Sequence, residues 1–336
     1  MDYIKIPFAE MQTMFAQILI THGFSKKRGE ECARIFAENS LDGIYSHGVY
    51  RFPRFVEYIQ KGYVDVNAEP TLVHSAGALE QWDGNLGPGP LNALFCSERA
   101  MKLAAQNGMG SVAIARTNHW MRGGTYGWHA AKKGFAFLGW TNTEANMPAW
   151  GAKDSRLGNN PLVFAVPFGS EAIVLDFAMT QFSYGKMEAA RLEGENLPFP
   201  GGYTAAGALT RDPSEILESR RALPIGYWKG AGLSLLLDLM ATILSGGLST
   251  RQLSQRADEY GVSQVFIVFD IQKLANFPSV DSVIAELTED LKKSVPGGSG
   301  MEIRYPGERV LQTRRKNRKE GIPVNQKVWN EIMEMK

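Results

Sequence analysis

The segment Tyr45-Ser46-His47-Gly48-Val49-Tyr50-Arg51 places an imidazole four residues before a guanidinium. A histidine with an ordinary pKa of about 6.5 can give and recover a proton near neutrality. An arginine can hold a carboxylate through two parallel hydrogen bonds. If the segment is helical, His47 and Arg51 share a face. Together they match what reduction of a 2-oxo acid requires, a clamp for the carboxylate and an acid for the carbonyl oxygen. The same pair also fits a packing or capping histidine beside a surface arginine.

Asp176 ends the apolar run Ile173-Val174-Leu175. A carboxylate at the mouth of a buried strand can orient a histidine and stabilise its protonated form, or it can cap a turn. In Asn118-His119-Trp120-Met121-Arg122-Gly123-Gly124, His119 and Arg122 lie close together in a loop after a strand, where ligand contacts concentrate. No two histidines or carboxylates have a metal-ligand spacing and no serine stands in a nucleophile elbow, so no metal is expected.

Two glycine-rich stretches imitate a dinucleotide fingerprint. Gly108-Met109-Gly110-Ser111-Val112-Ala113 has a helix before it and a strand after it, the reverse of the order a phosphate loop needs. Gly230-Ala231-Gly232 opens an apolar helix beside Lys229, which suits an anion at a helix start. It equally suits close packing of a glycine against a neighbouring element.

These residues need elements to position them. Met11, Met14, Phe15, Ile18 and Leu19 predict a first helix stopped at His22-Gly23, and Ile35, Phe36 and Leu41 a second. A third runs over 54–60, so the first seventy residues read as helical. Short strands are predicted around 71–74, 111–115, 135–140, 162–166, 173–175 and 265–269. Helices are predicted over 90–106, 126–133 and 230–245. Residues 197–207 and 296–300 read as loops, and 309–336 as helix again. The fold class this predicts is α+β, with a helical domain formed from both chain ends. The expected boundaries are a helical part over 1–72, a sheet domain over 73–225, and 226–336 carrying the apolar helix, a returning strand and the C-terminal helical part.

Composition excludes several classes. With 36 Lys plus Arg against 35 Asp plus Glu, the net charge of +1 gives no cationic face for nucleic acid. Five histidines and two cysteines are too few for a disulfide framework or a structural zinc site. The most apolar window, Leu233 to Leu244, is broken by Asp238 and falls short of the about 18 residues that span a bilayer. The stretch Met1 to Ala9 lacks the basic-then-apolar pattern of an export signal. The expectation is a cytoplasmic protein with no nucleic-acid and no membrane partner.

Along nearly its whole length the chain resembles the malate/L-lactate dehydrogenase-like family of NAD(P)-dependent oxidoreductases, which lack a Rossmann domain. The stretches that carry the likeness are Tyr45 to Val49, Arg51 to Phe55, Glu80 to Asp83, Asn118 to Gly124, Trp150 to Lys153, Phe182 to Gly185, Gly226 to Gly230 and Tyr305 to Glu308. The resemblance implies a mostly antiparallel sheet domain that binds NAD, and a homodimer with active sites near the subunit interface. It makes His47 the proton donor, Asp176 its support and Arg51 the holder of the substrate carboxylate; His119 and Arg122, from the loop after the strand, are read beside it as further substrate contacts. It assigns cofactor contacts to Val174, Leu175, Asp176, Phe177, Ala178, Met179, Thr180, Trp228, Lys229, Gly307, Glu308 and Arg309. Gly158-Asn159-Asn160-Pro161 and Ala178-Met179-Thr180-Gln181 depart from the family's usual wording. The implied reaction is NADH-dependent reduction of a sugar-derived diketo acid, 2,3-diketo-L-gulonate first, with NADPH left open. Lactate, malate, ureidoglycolate or a cyclic imino acid are the alternatives within the family, and a non-catalytic small-molecule sensor is the alternative outside it.

Overall fold

The computed structural model describes residues 2–298 and 300–336; Met1, and Ser299 within the expected loop at 296–300, lie outside them. The chain opens with strand β1 (Tyr3–Ile6) and helices α1 (Phe8–Thr21), α2 (Lys26–Leu41) and α3 (Phe52–Gln60). Met11, Phe15, Ile18 and Leu19 bury one stripe of α1, as their spacing predicts. Pro53 starts α3, where a missing N–H costs nothing. Phe15 stacks on Phe52 at 4.1 Å, and Phe36 meets Phe52 edge-on at 5.3 Å. Truncating Phe52 to Ala would cost about 3–5 kcal/mol at such a site.

The sheet follows: β2 (Thr71–Ala76), β3 (Leu79–Asp83), α4 (Gly89–Asn107), β4 (Met109–Thr117), α5 (Gly124–Ala131) and β5 (Phe135–Thr141). Then come the short β6 (Met147–Pro148) and β7 (Ser155–Leu157), and the hairpin β8 (Leu162–Phe168) and β9 (Glu171–Phe177). An excursion holds α6 (Tyr184–Glu193), β10 (Gly202–Tyr203), β11 (Leu209–Thr210) and α7 (Pro213–Ser219) around Met187, Leu197 and Ile216. Helix α8 (Trp228–Ser245) and α9 (Thr250–Leu253) lead to β12 (Val262–Asp270). The chain closes with α10 (Val280–Lys292), α11 (Glu308–Glu320), β13 (Ile322–Asn325) and α12 (Gln326–Glu334).

The seven-stranded sheet has the order β2-β3-β4-β12-β5-β8-β9. Every neighbouring pair is antiparallel except β3 with β4. β12 returns from far along the chain to the centre, so both its faces are buried: Phe266 and Val268 pack with α4 and α5, Val265 with α8. That explains its unbroken apolar run. A separate core joins α1, α2 and α3 to Ile322, Val324, Trp329 and Ile332.

Several local expectations need correction. The first seventy residues are not all helical, because β1 pairs antiparallel with β13 from Tyr3–Asn325 to Ile6–Ile322. β13 likewise interrupts the helix expected over 309–336. Four residues are too few to show an alternating pattern against flanking helices. The loop at 197–207 contains β10, and α6, α7 and α10 carry no expectation from the sequence. Gly108 caps α4 in the left-handed region at φ 86° and β4 starts at once, so this stretch is a helix stop. Gly230 packs closely: a Cβ there would lie 2.1 Å from the carbonyl oxygen of Ile225.

Candidate active site

His47 ends a short 3₁₀ turn, Tyr45–His47, that follows α2. The turn lies on α2 because Gly48 has no side chain: a Cβ would come within 2.2 Å of Ser40 Oγ. That hydroxyl accepts from the Val49 amide at 2.8 Å, and Asn39 Nδ2 donates to the His47 carbonyl at 3.0 Å. Arg51 is the N-cap of α3, so a turn, and not one continuous helix, brings His47 within reach of the charge of Arg51. Ser46 Oγ lies 3.0 Å from His47 Nδ1, which leaves Nε2 as the free edge of the ring.

His119, in the loop after β4, lies beside His47 with ring centroids 5.7 Å apart and planes inclined by 27°. The Met121 amide donates to His119 Nδ1 at 3.0 Å, so the neutral ring carries its proton on Nε2. Burial is the main reason that His47 falls from the usual histidine value to about 4, with the charges of Arg51 and Arg122 adding to it. Burial also takes His119 well below that usual value, helped by Arg51, His47 and Arg54. Both imidazoles are therefore neutral near pH 7. Arg51, Arg54, Tyr58 and His119 share one recess, and no carboxylate among the described residues closes an ion pair with Arg51.

Arg122 is placed differently. Its side chain is 5 % exposed and Nη1 lies 2.5 Å from Asp42 Oδ2, while Nε is 3.9 Å from Asp176 Oδ2. Asp42 also accepts from Arg314 on α11 at 2.6 and 2.8 Å. The guanidinium is thus committed within the protein. Asp176, at the end of β9, accepts from the Gly124 amide at 2.8 Å. Burial raises its pKa, opposed by Arg122 and that amide. Among the described residues it makes no hydrogen bond to His47; Arg122 is the charged neighbour common to both.

The stretches expected to touch a dinucleotide form one edge. The Val174 amide donates to the Pro306 carbonyl at 3.2 Å, and a Cβ on Gly307 (φ 90°) would lie 3.3 Å from the Val174 backbone. Further on, the Ile225 amide donates to the Met179 carbonyl at 2.8 Å and Thr180 bridges Pro224. Residues 174–180 therefore run from Pro306–Gly307, which lead into Glu308 and Arg309, to Pro224–Ile225, which lead into Trp228 and Lys229. Trp228 is 65 % exposed at the start of α8. Val174, Met179 and Thr180 are buried, while Leu175 and Arg309 are exposed and Phe177 and Ala178 half-buried. The Thr180 hydroxyl is buried without a partner. An exposed indole, a basic residue beside a helix start, a close-packed glycine and an unpartnered hydroxyl along one edge fit a dinucleotide. Glu308 is held by Lys292 at 2.5 Å. Asn159 and Asn160 secure the neighbouring loop: Asn159 accepts the Thr143 hydroxyl at 3.1 Å and Asn160 the Thr143 amide at 3.0 Å.

Sequence spacing did not single out Asp42 or Glu259, and the basic run Arg314 to Lys319 reads from the sequence as a solvated face, whereas Arg314 is 17 % exposed and turned to Asp42. The partners of Asp42 and Glu259 come from elements distant in the chain, and a single acid in a helix cap or a loop gives no periodic signal. Ser46 stood inside a motif that it does share with His47.

Comparison with known proteins shows the family and supports the fold. The family model described as malate/L-lactate dehydrogenase matches residues 6–333. The 2,3-diketo-L-gulonate reductase of Escherichia coli (strain K12) is 42 % identical over 330 residues, covering 98 % of this chain and 99 % of the relative. Among solved structures, the malate dehydrogenase of Entamoeba histolytica superposes with a TM-score of 0.94 at 21 % identity, covering 99 % of this chain and 97 % of that one. The malate dehydrogenase of Pyrococcus horikoshii OT3 gives 0.90 at 26 % identity, with 99 % and 94 % covered. The chain belongs to the malate/L-lactate dehydrogenase family and is an oxidoreductase that works with a nicotinamide cofactor.

Proposed function

We propose that the enzyme reduces a sugar-derived 2-oxo acid, 2,3-diketo-L-gulonate to 3-dehydro-L-gulonate, with NADH as reductant. The observation that carries this reading is the recessed Arg51 guanidinium, which closes no ion pair among the described residues and lies beside the His47 and His119 imidazoles. Arg51 takes the substrate carboxylate in bidentate fashion. His119, with its proton on Nε2, donates to a substrate oxygen. The bound carboxylate offsets the charge of Arg51, so His47 takes up a proton in the complex and delivers it to the ketone oxygen as the carbon gains a hydride, and the ketone becomes an alcohol. Val174 to Thr180, Trp228, Lys229 and Gly307 to Arg309 hold the dinucleotide, which supplies that hydride when bound.

Asp176 supports His47 through the charge balance around Arg122, not by a direct bond. Arg122, assigned from the sequence as a substrate contact, positions Asp176 instead. The molecule acts as a homodimer through the exposed apolar face of α8, and its two buried free thiols suit the cytoplasm.

The test is oxidation of NADH and of NADPH across a panel of 2-oxo acids, with Arg51→Lys alongside the native enzyme. The sugar diketo acid should give the highest kcat/KM. Arg51→Lys should lower that value by about ten- to a hundredfold, mostly through KM, from loss of the bidentate charged hydrogen bonds. A clear preference for lactate- or malate-type acids would overturn the substrate.

A further inference from the structure

Between α9 and β12, the side chains of Asp258-Glu259-Tyr260 divide their contacts. Asp258 pairs with Lys61 at 3.1 Å, and Tyr260 stacks on Tyr63 with ring centroids 4.4 Å apart. Both partners lie just past α3. Glu259, 9 % exposed, instead accepts from the Glu144 amide at 2.8 Å through Oε2. Its other oxygen, Oε1, has no hydrogen-bond partner among the described residues. Buried carboxylates ordinarily fill both oxygens or close an ion pair.

Arg51 and Arg54 are near enough to act on the charge of Glu259, yet neither closes a pair with it. Arg54 donates to the Tyr58 hydroxyl at 2.8 Å. Tyr63, on which Tyr260 stacks, accepts from Asn118 Nδ2 at 3.0 Å, and Asn118 lines the recess of Arg51, so the segment carrying Glu259 borders that recess. A guest that reaches both Arg51 and Glu259 carries an anion at one end and a hydrogen-bond donor at the other. Asn146, on the same loop as Glu144, adds to this. Its Nδ2 donates to Asn159 Oδ1 at 3.1 Å, which fixes the amide, and its Oδ1 is buried without a partner. Glu259 and the loop from Glu144 to Asn146 therefore offer unfilled acceptors beside the recess.

We propose that Glu259 is a specificity-determining residue. Its free carboxylate oxygen accepts a hydrogen bond from a hydroxyl on the substrate chain beyond the carboxylate held by Arg51. With Glu144, it also repels substrates that carry a second carboxylate. The inference rests on the proposed role of Arg51 and deepens the sugar-acid reading. A polyhydroxylated 2-oxo acid satisfies both ends, pyruvate satisfies one, and oxaloacetate places like charges together.

The experiment compares native enzyme, Glu259→Gln and Glu259→Asp with 2,3-diketo-L-gulonate, pyruvate and oxaloacetate, each variant first checked for an unchanged melting temperature. Glu259→Gln should lower kcat/KM for the diketo acid at least tenfold more than for pyruvate, and should raise the oxaloacetate-to-pyruvate ratio. Glu259→Asp keeps the charge and withdraws the oxygen, so it should lose the hydroxyl preference while still discriminating against oxaloacetate. A loss in equal proportion for all three acids, as a merely structural role would give, overturns the inference, and so do unchanged ratios. The two readings fail separately. A native enzyme that prefers pyruvate to the diketo acid sinks the sugar-acid reading. A native enzyme that prefers oxaloacetate to pyruvate sinks the role of Glu259.

Discussion

Arg122 and Asp42 meet across 2.5 Å with both side chains almost fully buried, 5 % and 6 % exposed. Asp42 is shared with Arg314, so one carboxylate from the end of α2 balances guanidiniums from the sheet domain and from α11. Asp42→Ala would leave the buried Arg122 with only Asp176, at 3.9 Å, and Arg314 with only Glu171, at 3.5 Å. The expected loss is about 3–5 kcal/mol of unfolding free energy, read by urea denaturation. A loss below about 1 kcal/mol would show that the pair carries little of the stability.

The titration of His47 gives the reaction a direction-dependent pH profile. With the free-enzyme value at about 4, reductive kcat/KM should fall as pH rises above it, by about tenfold per unit, because the acid form is the competent one. A bound carboxylate offsets Arg51, so the break in kcat should lie at higher pH than the break in kcat/KM. In the oxidative direction neutral His47 is the competent base, and the profile should stay level down to about pH 4. A reductive kcat/KM that is level between about pH 5 and 8 would remove His47 from the role.

The same shift is a stability term. The folded pKa of about 4 lies below the ordinary value, so folding favours neutral His47. Its contribution is complete above about pH 6.5 and is lost as pH falls toward the folded value, since the unfolded chain then binds the extra proton. His47→Asn should flatten this part of the acid limb in melting temperature against pH. A limb as steep as that of the native protein would argue against it.

The unpartnered Thr180 hydroxyl separates ligand binding from stability. Thr180→Val keeps the shape and removes only the unsatisfied polar atom, so melting temperature should hold or rise. Affinity for NADH should fall by about fivefold to tenfold, measured by nicotinamide fluorescence. Unchanged affinity would take Thr180 out of the cofactor edge.

Leu236, Met240 and Ile243 line one face of α8 at helical spacing and are 57 %, 46 % and 72 % exposed. A patch of this kind on a closed fold marks an association surface. Ile243→Glu together with Leu236→Glu should convert a dimer to a monomer in light scattering after size-exclusion chromatography. A native protein that is monomeric at micromolar concentration would reject the assignment.

The core helices and central strands were legible because their apolar spacing is long and regular: the stripe of α1 and the unbroken run of β12 need no partner to be recognised. The two-residue and four-residue strands were not, since pairing between distant segments defines them. At the site, the triplet around His47 was readable, and Gly48 shows why it has that form. The reading of Arg122 as a substrate contact could not anticipate Asp42, which lies 80 positions away in the chain. A guanidinium looks the same in sequence whether it faces a ligand or a buried carboxylate.

The β1–β13 ribbon also dictates when the protein can fold as it is made. The first helices emerge from the ribosome early, but the core they bury also requires Ile322, Val324, Trp329 and Ile332. During synthesis those helices carry uncovered apolar stripes until nearly the whole chain has appeared, while the intervening sheet can assemble as soon as β12 is available. The helical layer is thus the last part of the molecule to close, and it carries Arg51 and His47 with it.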